Sequence, residues 1–188
     1  MGQLSLRELI LCALFVALVA VGALIRIPVG TDVFTLQFMF TLLAGLLLGP
    51  RLGATAVTVY ILLGLMGVPV FAGGGPGYIL QPTFGYLLGF VVQAWFCGWA
   101  ARRGAVTFKR LLLINFGGMV IVYAFGLVWF YVISNYVIDA PVALYWVILY
   151  CGILQIPPDA LLCVAAAAAA KRGLSAGIWL NPPRGTGK

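Results

Sequence analysis

Long apolar segments recur along this chain and leave few folds open to it. Of its 188 residues, 64% are hydrophobic and only 8% are charged. An apolar helix of about twenty residues can cross the ~30 Å hydrocarbon layer of a membrane. Backbone in that layer must satisfy its hydrogen bonds internally, which a helix does. The sequence therefore predicts an all-α integral membrane protein, with residues 1–188 forming one domain.

Breaks in the hydropathy pattern divide the chain into six predicted transmembrane helices. Glycines and prolines end the second and third segments, and a basic linker separates the fourth from the fifth. The predicted helices are, in order, residues 6–24, 36–48, 52–66, 84–101, 111–133 and 157–170. The aromatic segment 141–154 is predicted to be an outer interfacial helix before the last span, and residues 183–188 a disordered tail.

The positions of the basic residues predict the orientation in the membrane. With the amino end inside and six spans, only Arg26 of the 11 Lys and Arg residues lies outside. Basic residues concentrate on the cytoplasmic side of membrane proteins, so we expect both termini to be cytoplasmic. The residues predicted to lie inside are Arg7, Arg51, Arg102, Arg103, Lys109, Arg110, Lys171, Arg172, Arg184 and Lys188.

Residues 67–90 form a glycine- and proline-rich stretch that cannot lie bare in lipid. The topology places it outside, where we predict an irregular loop. A flexible loop without a ligand is one interpretation. The other is a pocket wall, because glycine lets backbone approach a ligand closely and aromatic side chains supply apolar surface. The candidate binding residues in this stretch are Gly73, Gly74, Gly75, Gly77, Tyr78, Thr83 and Tyr86.

Asp159 lies in the first turn of the last predicted helix, after Pro157 and Pro158. A carboxylate at the start of a helix can simply favour the positive end of the helix dipole. An acid within a membrane helix is costly, however, and commonly marks a functional site. The functional interpretation is an acceptor for the N–H groups of a bound solute. Gln37 and Arg26 are further candidate binding residues on the outer side, although a lone Arg there can also be an interface anchor.

The chain offers little for catalysis. It has no histidine, which excludes histidine-assisted nucleophiles and histidine metal sites. Its four cysteines are scattered through apolar segments, a pattern typical of buried small side chains. Residues 185–188 lack the first glycine of a phosphate-binding loop. We predict no metal, no cofactor and no ATP hydrolysis by this chain; an acid pair of Asp139 and Asp159 in an intramembrane enzyme is the catalytic alternative.

Ala13, Ala17 and Ala20 form one narrow face of small residues on the first predicted helix. Such faces let two membrane helices approach closely. The partner is either a helix of the same chain or another membrane subunit, and the spacing alone leaves both open.

Four motifs resemble successive signatures of the BioY family, the biotin-specific substrate-binding (S) components of energy-coupling factor (ECF) transporters. They are TLQ at 35–37, LAGLLLGPRLG at 43–53, GVPVF at 67–71 and PTFGYLLGF at 82–90. The resemblance implies a six-helix protein of a bacterial or archaeal plasma membrane whose site for biotin opens to the outside. It also implies docking on an EcfT-type coupling subunit that carries two ABC ATPases, and no nucleic-acid partner.

The resemblance assigns roles to three of the residues above. Ala13 and Ala17 match the family's docking face, and Asp159 matches its acidic residue at the head of the last helix. The family usually has a lysine one turn later, where this chain has Leu162. We therefore expect Arg26 or backbone N–H groups of the glycine-rich stretch to hold the ligand carboxylate. A self-sufficient secondary transporter or facilitator for a small vitamin is the alternative function.

Overall fold

Seven α-helices run through the residues that the computed structural model describes, namely 5–29, 32–70 and 74–177, with backbone only at 26–29 and 32–34. α2 continues directly into a π-helical segment, Ala44–Leu48. The helices are α1 Leu6–Leu24, α2 Gln37–Leu43, α3 Pro50–Leu65, α4 Phe84–Ala101, α5 Phe108–Tyr136, α6 Leu144–Cys151 and α7 Ile156–Ser175. The predicted tail 183–188 lies outside the described residues.

The predicted helical fold is confirmed. α1 and α4 have the predicted bounds, and the short α6 occupies the segment for which an outer helix was predicted. By length and hydropathy, α1, α4, α5 and the continuous region Leu144–Ser175 could each cross a membrane, whereas Gln37–Leu48 and Pro50–Leu65 are shorter apolar helices. The orientation of the termini stays a prediction.

Local capping explains where α1 begins. Ser5 Oγ accepts a hydrogen bond from the Glu8 backbone N–H at 3.3 Å, and the Glu8 carboxylate accepts one from the Ser5 N–H at 2.8 Å. This reciprocal arrangement satisfies two of the N–H groups that a helix start leaves unpaired. Ser5 and Glu8 therefore fix the start of α1 at Leu6.

Glycines set the joint between the second and third helices. Gly49 has a φ of +94°, a conformation that favours glycine, and Pro50 follows at the first helical position. α3 consequently starts two residues earlier than predicted. Added Cβ atoms at Gly45 and Gly98 would collide with the backbone of Ala94 and Gly49, respectively. The 43–53 motif therefore lies where the second, third and fourth helices pack closely together.

α5 exceeds its predicted bounds at both ends. Thr107 Oγ1 accepts a hydrogen bond from the Arg110 N–H at 3.4 Å and caps the start of the helix. Arg110 Nη2 in turn donates to the Ala100 carbonyl at 2.9 Å, near the end of α4. At the other end, α5 runs to Tyr136, three residues beyond its predicted end, and so includes Ser134 and Asn135 of the polar segment.

α6 lies between α5 and α7 and is mostly exposed. Asn135 clamps the connection: its Nδ2 donates to the Val142 carbonyl, and its Oδ1 accepts from the Val142 N–H, both at 3.2 Å. Val147 is the buried residue of α6. After one 3-10 turn, α7 starts at Ile156 with prolines in its first turn, where their missing N–H groups cost nothing. It continues to Ser175, five residues beyond the predicted end.

A short antiparallel hairpin, which was not predicted from the sequence, separates α1 from α2. Its strands are β1 Arg26–Val29 and β2 Asp32–Thr35, with Arg26 opposite Thr35 and Val29 opposite Asp32. Branched residues such as Ile27, Val29 and Val33 favour strands. The hairpin follows the C-terminal end of α1.

Candidate functional site

Three helices contribute side chains to a half-buried cluster at the head of α7. Asp159 lies in the first turn of α7, Tyr123 on α5 and Tyr86 on α4. The Tyr123 hydroxyl donates a hydrogen bond to Asp159 Oδ2 at 2.7 Å. Asp159 is thus more than a first-turn acid that favours the helix dipole, because a side chain from another helix holds it.

Tyr86 connects this cluster to α6. Its hydroxyl donates to the Cys151 carbonyl at 2.7 Å, and its ring meets the Tyr123 ring edge to face, with centroids 6.5 Å apart and planes at 87°. The Tyr86 ring lies where a Cβ at Gly126 would be, so the ring packs directly on the backbone of α5. The predicted role of Tyr86 as an aromatic wall is compatible with this position.

The glycine-rich stretch folds back on the end of α3. The Gly75 N–H donates to the Gly64 carbonyl at 2.7 Å, and an added Cβ at Gly74 would lie 3.1 Å from the same oxygen. Gly75 has a φ of +108°, which favours glycine. A Cβ at Gly77 would meet nothing within 4 Å. Gly74 and Gly75 are thus needed for the turn itself, and Gly77 borders open space; Gly73 lies outside the described residues.

Tyr78 and Thr83 lie in a second aromatic cluster. The Tyr78 hydroxyl is 3.4 Å from Thr83 Oγ1, and the Tyr78 ring packs edge-on against Phe84 with centroids 6.4 Å apart. Phe84 contacts Trp129, whose Nε1–H donates to the Gln81 carbonyl at 3.3 Å. This cluster fixes the loop on α4 and α5. Trp129 was not singled out from the sequence, where it is one aromatic residue among many in α5.

Gln37 is 7% exposed, and its Nε2 has no hydrogen-bond partner among the described residues. A buried amide without a partner is costly and calls for an explanation, such as a bound solute or water. This observation favours the predicted polar role of Gln37. The residue starts α2, directly after the hairpin.

Buried amides also occur deeper in the bundle. Asn115 Nδ2 donates to the Cys163 carbonyl at 2.9 Å, one turn beyond Asp159 on α7. Thr41 Oγ1 lies 2.8 Å from the Phe38 carbonyl and 3.1 Å from Gln93 Oε1. Thr41, Gln93 and Asn115 are fully buried. None of the three was predicted from the sequence; for Gln93 and Asn115, the available signal was an amide within an apolar membrane segment.

Three other residues of the sequence analysis fall outside the cluster. Asp139 is exposed in the turn after α5, with a φ of 49°, so its surroundings differ from those of half-buried Asp159. Leu162, at the position of the family lysine, packs against the apolar core. The backbone of Arg26 forms part of β1, and its side chain lies outside the described portion.

The small-residue face of α1 is largely uncovered in the isolated chain. Ala13 and Ala17 are exposed and Ala20 is half-buried. The buried face of α1 consists instead of Phe15, Val19, Gly22 and Ala23. The sequence left open whether these alanines pack within the chain or against another subunit. The described residues leave Ala13 and Ala17 exposed, which favours another subunit.

A groove of about 530 Å³ lies away from the cluster, between the start of α5 and the end of α7. It combines an apolar floor with the exposed basic side chains of Lys171 and Arg172. None of the candidate substrate-binding side chains in the described part of the chain lines it. The cluster at the head of α7 is therefore the better candidate site.

Comparisons with known proteins agree with this description. A model of the BioY family matches residues 1–177. The "Probable biotin transporter BioY" of Lysinibacillus sphaericus is 42% identical over 172 residues, which cover 90% of this chain and 88% of that protein. The "Biotin transporter BioY" of Thermotoga maritima is 42% identical over 136 residues, covering 71% and 78%, respectively.

The fold also resembles a solved structure. A crystal structure of "the S-component for biotin from an ECF-type ABC transporter" superposes with a TM-score of 0.75. The two chains are 26% identical, and the match covers 89% of this chain and 90% of the other. Similarity over nearly the whole length of both chains extends the sequence match to the arrangement of the helices.

Proposed function

Since the chain belongs to the BioY family, we propose that it captures biotin and acts as the S component of an ECF-type transporter. The observation that carries the proposal is the half-buried Asp159 carboxylate, held by Tyr123 beside the aromatic ring of Tyr86. Biotin offers a ring urea with N–H donors, an apolar body and a carboxylate. A fixed acceptor beside aromatic surface suits the urea and the apolar body.

We assign the remaining polar contacts to residues around this acceptor. Gln37 contributes a buried amide whose Nε2 has no hydrogen-bond partner among the described residues. The loop contributes Gly73, Gly74, Gly75, Gly77, Tyr78 and Thr83, with Gly77 next to open space. Because Leu162 is apolar and packs against the core, it offers the ligand carboxylate no donor, and the carboxylate needs another partner. We propose Arg26 or loop N–H groups for it, since a guanidinium or an amide donor matches a carboxylate.

The family is one of transporters, so the chain is not an enzyme. Uptake is energised by ATP hydrolysis on two ABC ATPases, reached through an EcfT-type coupling subunit. The exposed Ala13 and Ala17, with Ala20 beside them, supply the contact for that subunit, because small side chains permit close helix packing. The protein lies in the plasma membrane with several spans, both termini inside and the biotin site open to the outside, as the distribution of basic residues favours.

Equilibrium binding of biotin to the purified chain in detergent tests the proposal. Asp159→Asn is expected to weaken binding at least tenfold, because a charged acceptor is replaced by a neutral amide. The matched control is Asp139→Asn, which changes the exposed carboxylate and should leave binding unchanged. Absence of biotin binding by the unmodified chain would refute the proposal.

Transport assays separate this function from a secondary transporter. Vesicles that contain this chain alone should take up no biotin, whereas vesicles with the coupling subunit and ATPases should take it up when ATP is supplied. Uptake by the chain alone, driven by a solute gradient, would support a self-sufficient carrier instead.

A further inference from the structure

The Asp159 side chain has one hydrogen-bond partner within the described part of the chain, the Tyr123 hydroxyl. A carboxylate has about four acceptor positions on its two oxygens. The bond at 2.7 Å uses one position on Oδ2 and leaves Oδ1 for other donors. Asp159 and Tyr123 are only half-buried, and these remaining positions have no hydrogen-bond partner within the described part of the chain.

The position of the Tyr123 hydroxyl is set by its surroundings. The Tyr86 ring packs edge to face on the Tyr123 ring. Tyr86 is itself fixed, because its ring lies on Gly126 and its hydroxyl bonds to the Cys151 carbonyl. Helices α4, α5 and α6 thus determine where the Tyr123 hydroxyl lies, and the hydroxyl determines where the carboxylate of α7 lies.

The contact between α5 and α7 does not depend on this pair alone. Asn115 Nδ2 donates to the Cys163 carbonyl at 2.9 Å, one turn further along α7. Buried small residues of α7, including Ala166 and Ala170, also pack in the core. The contact between α5 and α7 is therefore held by other residues as well, and the hydrogen bond between Tyr123 and Asp159 lies at its half-buried end.

We infer that Tyr123 is a positioning residue: its hydroxyl holds the Asp159 carboxylate so that Oδ1 accepts an N–H of the ring urea of biotin. The inference rests on the proposed function and adds the residue that makes the biotin site specific for a cyclic urea. Without the hydroxyl, the carboxylate rotates among several rotamers. Ordering it when biotin binds then costs free energy, which weakens binding. Specificity follows because a site built for an N–H discriminates against a ligand that lacks it.

The test uses the full chain in detergent and three ligands. They are biotin and the two cyclic carbamate analogues in which one or the other urea N–H is replaced by oxygen. The variants are Tyr123→Phe, Asp159→Asn and the double substitution. Tyr131→Phe is the matched control, since Tyr131 lies on the same helix and its ring packs against Tyr136 instead. Thermal unfolding of each unliganded variant is measured in parallel.

We expect Tyr123→Phe to weaken biotin binding about tenfold and Tyr131→Phe to have no effect. One carbamate analogue should bind the unmodified chain more weakly than biotin and be insensitive to Tyr123→Phe; the other should behave like biotin. The double variant should bind biotin no more weakly than Asp159→Asn, because both changes remove one interaction. A merely structural role would instead lower the unfolding temperature and weaken all three ligands equally.

The outcomes distinguish this inference from the proposed function. If the unmodified chain binds biotin and Tyr123→Phe binds it equally or more tightly, the inference is wrong and the proposed function stands. If the unmodified chain binds no biotin, both are wrong. If Tyr123→Phe fails to fold, the binding affinities of Asp159→Asn are used instead. The affinity that this variant loses must depend on which N–H the ligand keeps. An equal loss of affinity for all three ligands overturns the inference.

Discussion

Tyr123 and Asp159 are joined by a 2.7 Å hydrogen bond that links α5 to the first turn of α7. The two residues lie 36 positions apart in the sequence, and the Tyr123 hydroxyl holds the Asp159 carboxylate, which remains the acceptor group. It also explains why a half-buried acid is tolerated beside the apolar part of α7, since a carboxylate withdrawn from water needs a hydrogen-bonding partner. The consequences of this arrangement, and of the packing around it, can be measured.

Tyr86→Phe should loosen α6 without unfolding the bundle. The substitution removes the hydroxyl that bonds to the Cys151 carbonyl, a contact of about 1 kcal/mol, while the ring still packs on Gly126. Amide hydrogen exchange in α6 should become faster, with little change in α4. Tyr145→Phe, at an exposed site on α6, is the control. Unchanged exchange in α6 would show that Val147 and the Asn135 clamp suffice to hold it.

Gly98→Val should destabilise the chain by more than about 2 kcal/mol, because the new side chain would collide with the backbone of Gly49 and Pro50. The midpoint of thermal or denaturant unfolding in detergent measures the effect. Gly77→Ala is the matched control, since an added Cβ there meets nothing within 4 Å. A Gly98→Val variant as stable as the control would mean that the second, third and fourth helices do not pack as described.

Thr41→Val should cost more than the double change Thr41→Val with Gln93→Leu. The hydroxyl hydrogen of Thr41 can go to the Phe38 carbonyl or to Gln93 Oε1, not to both. Gln93 Nε2 already lacks a partner among the described residues, so removing the hydroxyl leaves a fully buried amide with still fewer contacts. We expect a loss of about 1–3 kcal/mol for the single change.

Removing the Gln93 amide in the same chain should restore much of that stability, because an apolar pair of similar shape leaves no buried polar group. Unfolding of the two single variants and the double variant gives the coupling free energy. Strictly additive losses would contradict a hydrogen-bonded relationship between Thr41 and Gln93.

Ala13→Trp together with Ala17→Trp should abolish assembly with the coupling subunit while leaving the isolated chain folded. Both alanines are exposed, so large side chains are accommodated in the chain itself but prevent close approach of a partner helix. Co-purification with the coupling subunit measures assembly, and biotin binding verifies folding. Leu14→Trp, at a neighbouring position that is 50% exposed, is the control. Full assembly of the alanine variant would assign docking to another surface.

The hydropathy pattern predicts most of the fold because membrane helices are constrained locally. Each apolar segment must satisfy its own backbone and match the thickness of the bilayer, so the bounds of α1 and α4 agree with the prediction. The hairpin was missed because its strands pair with each other over only four residues each. The early start of α3 depends on the positive φ of Gly49, which the sequence motif alone does not reveal.

The amino-acid sequence is sufficient to identify a helical membrane protein, an irregular stretch before α4 and Asp159 as an unusual acid. These conclusions follow from composition and local spacing. The three-dimensional arrangement was needed to find that Tyr123 holds Asp159, that Gly74 and Gly75 serve the turn, and that Ala13 and Ala17 are exposed. Such relationships depend on which faces of distant helices meet, and that is set by packing between segments, beyond the pattern within any one of them.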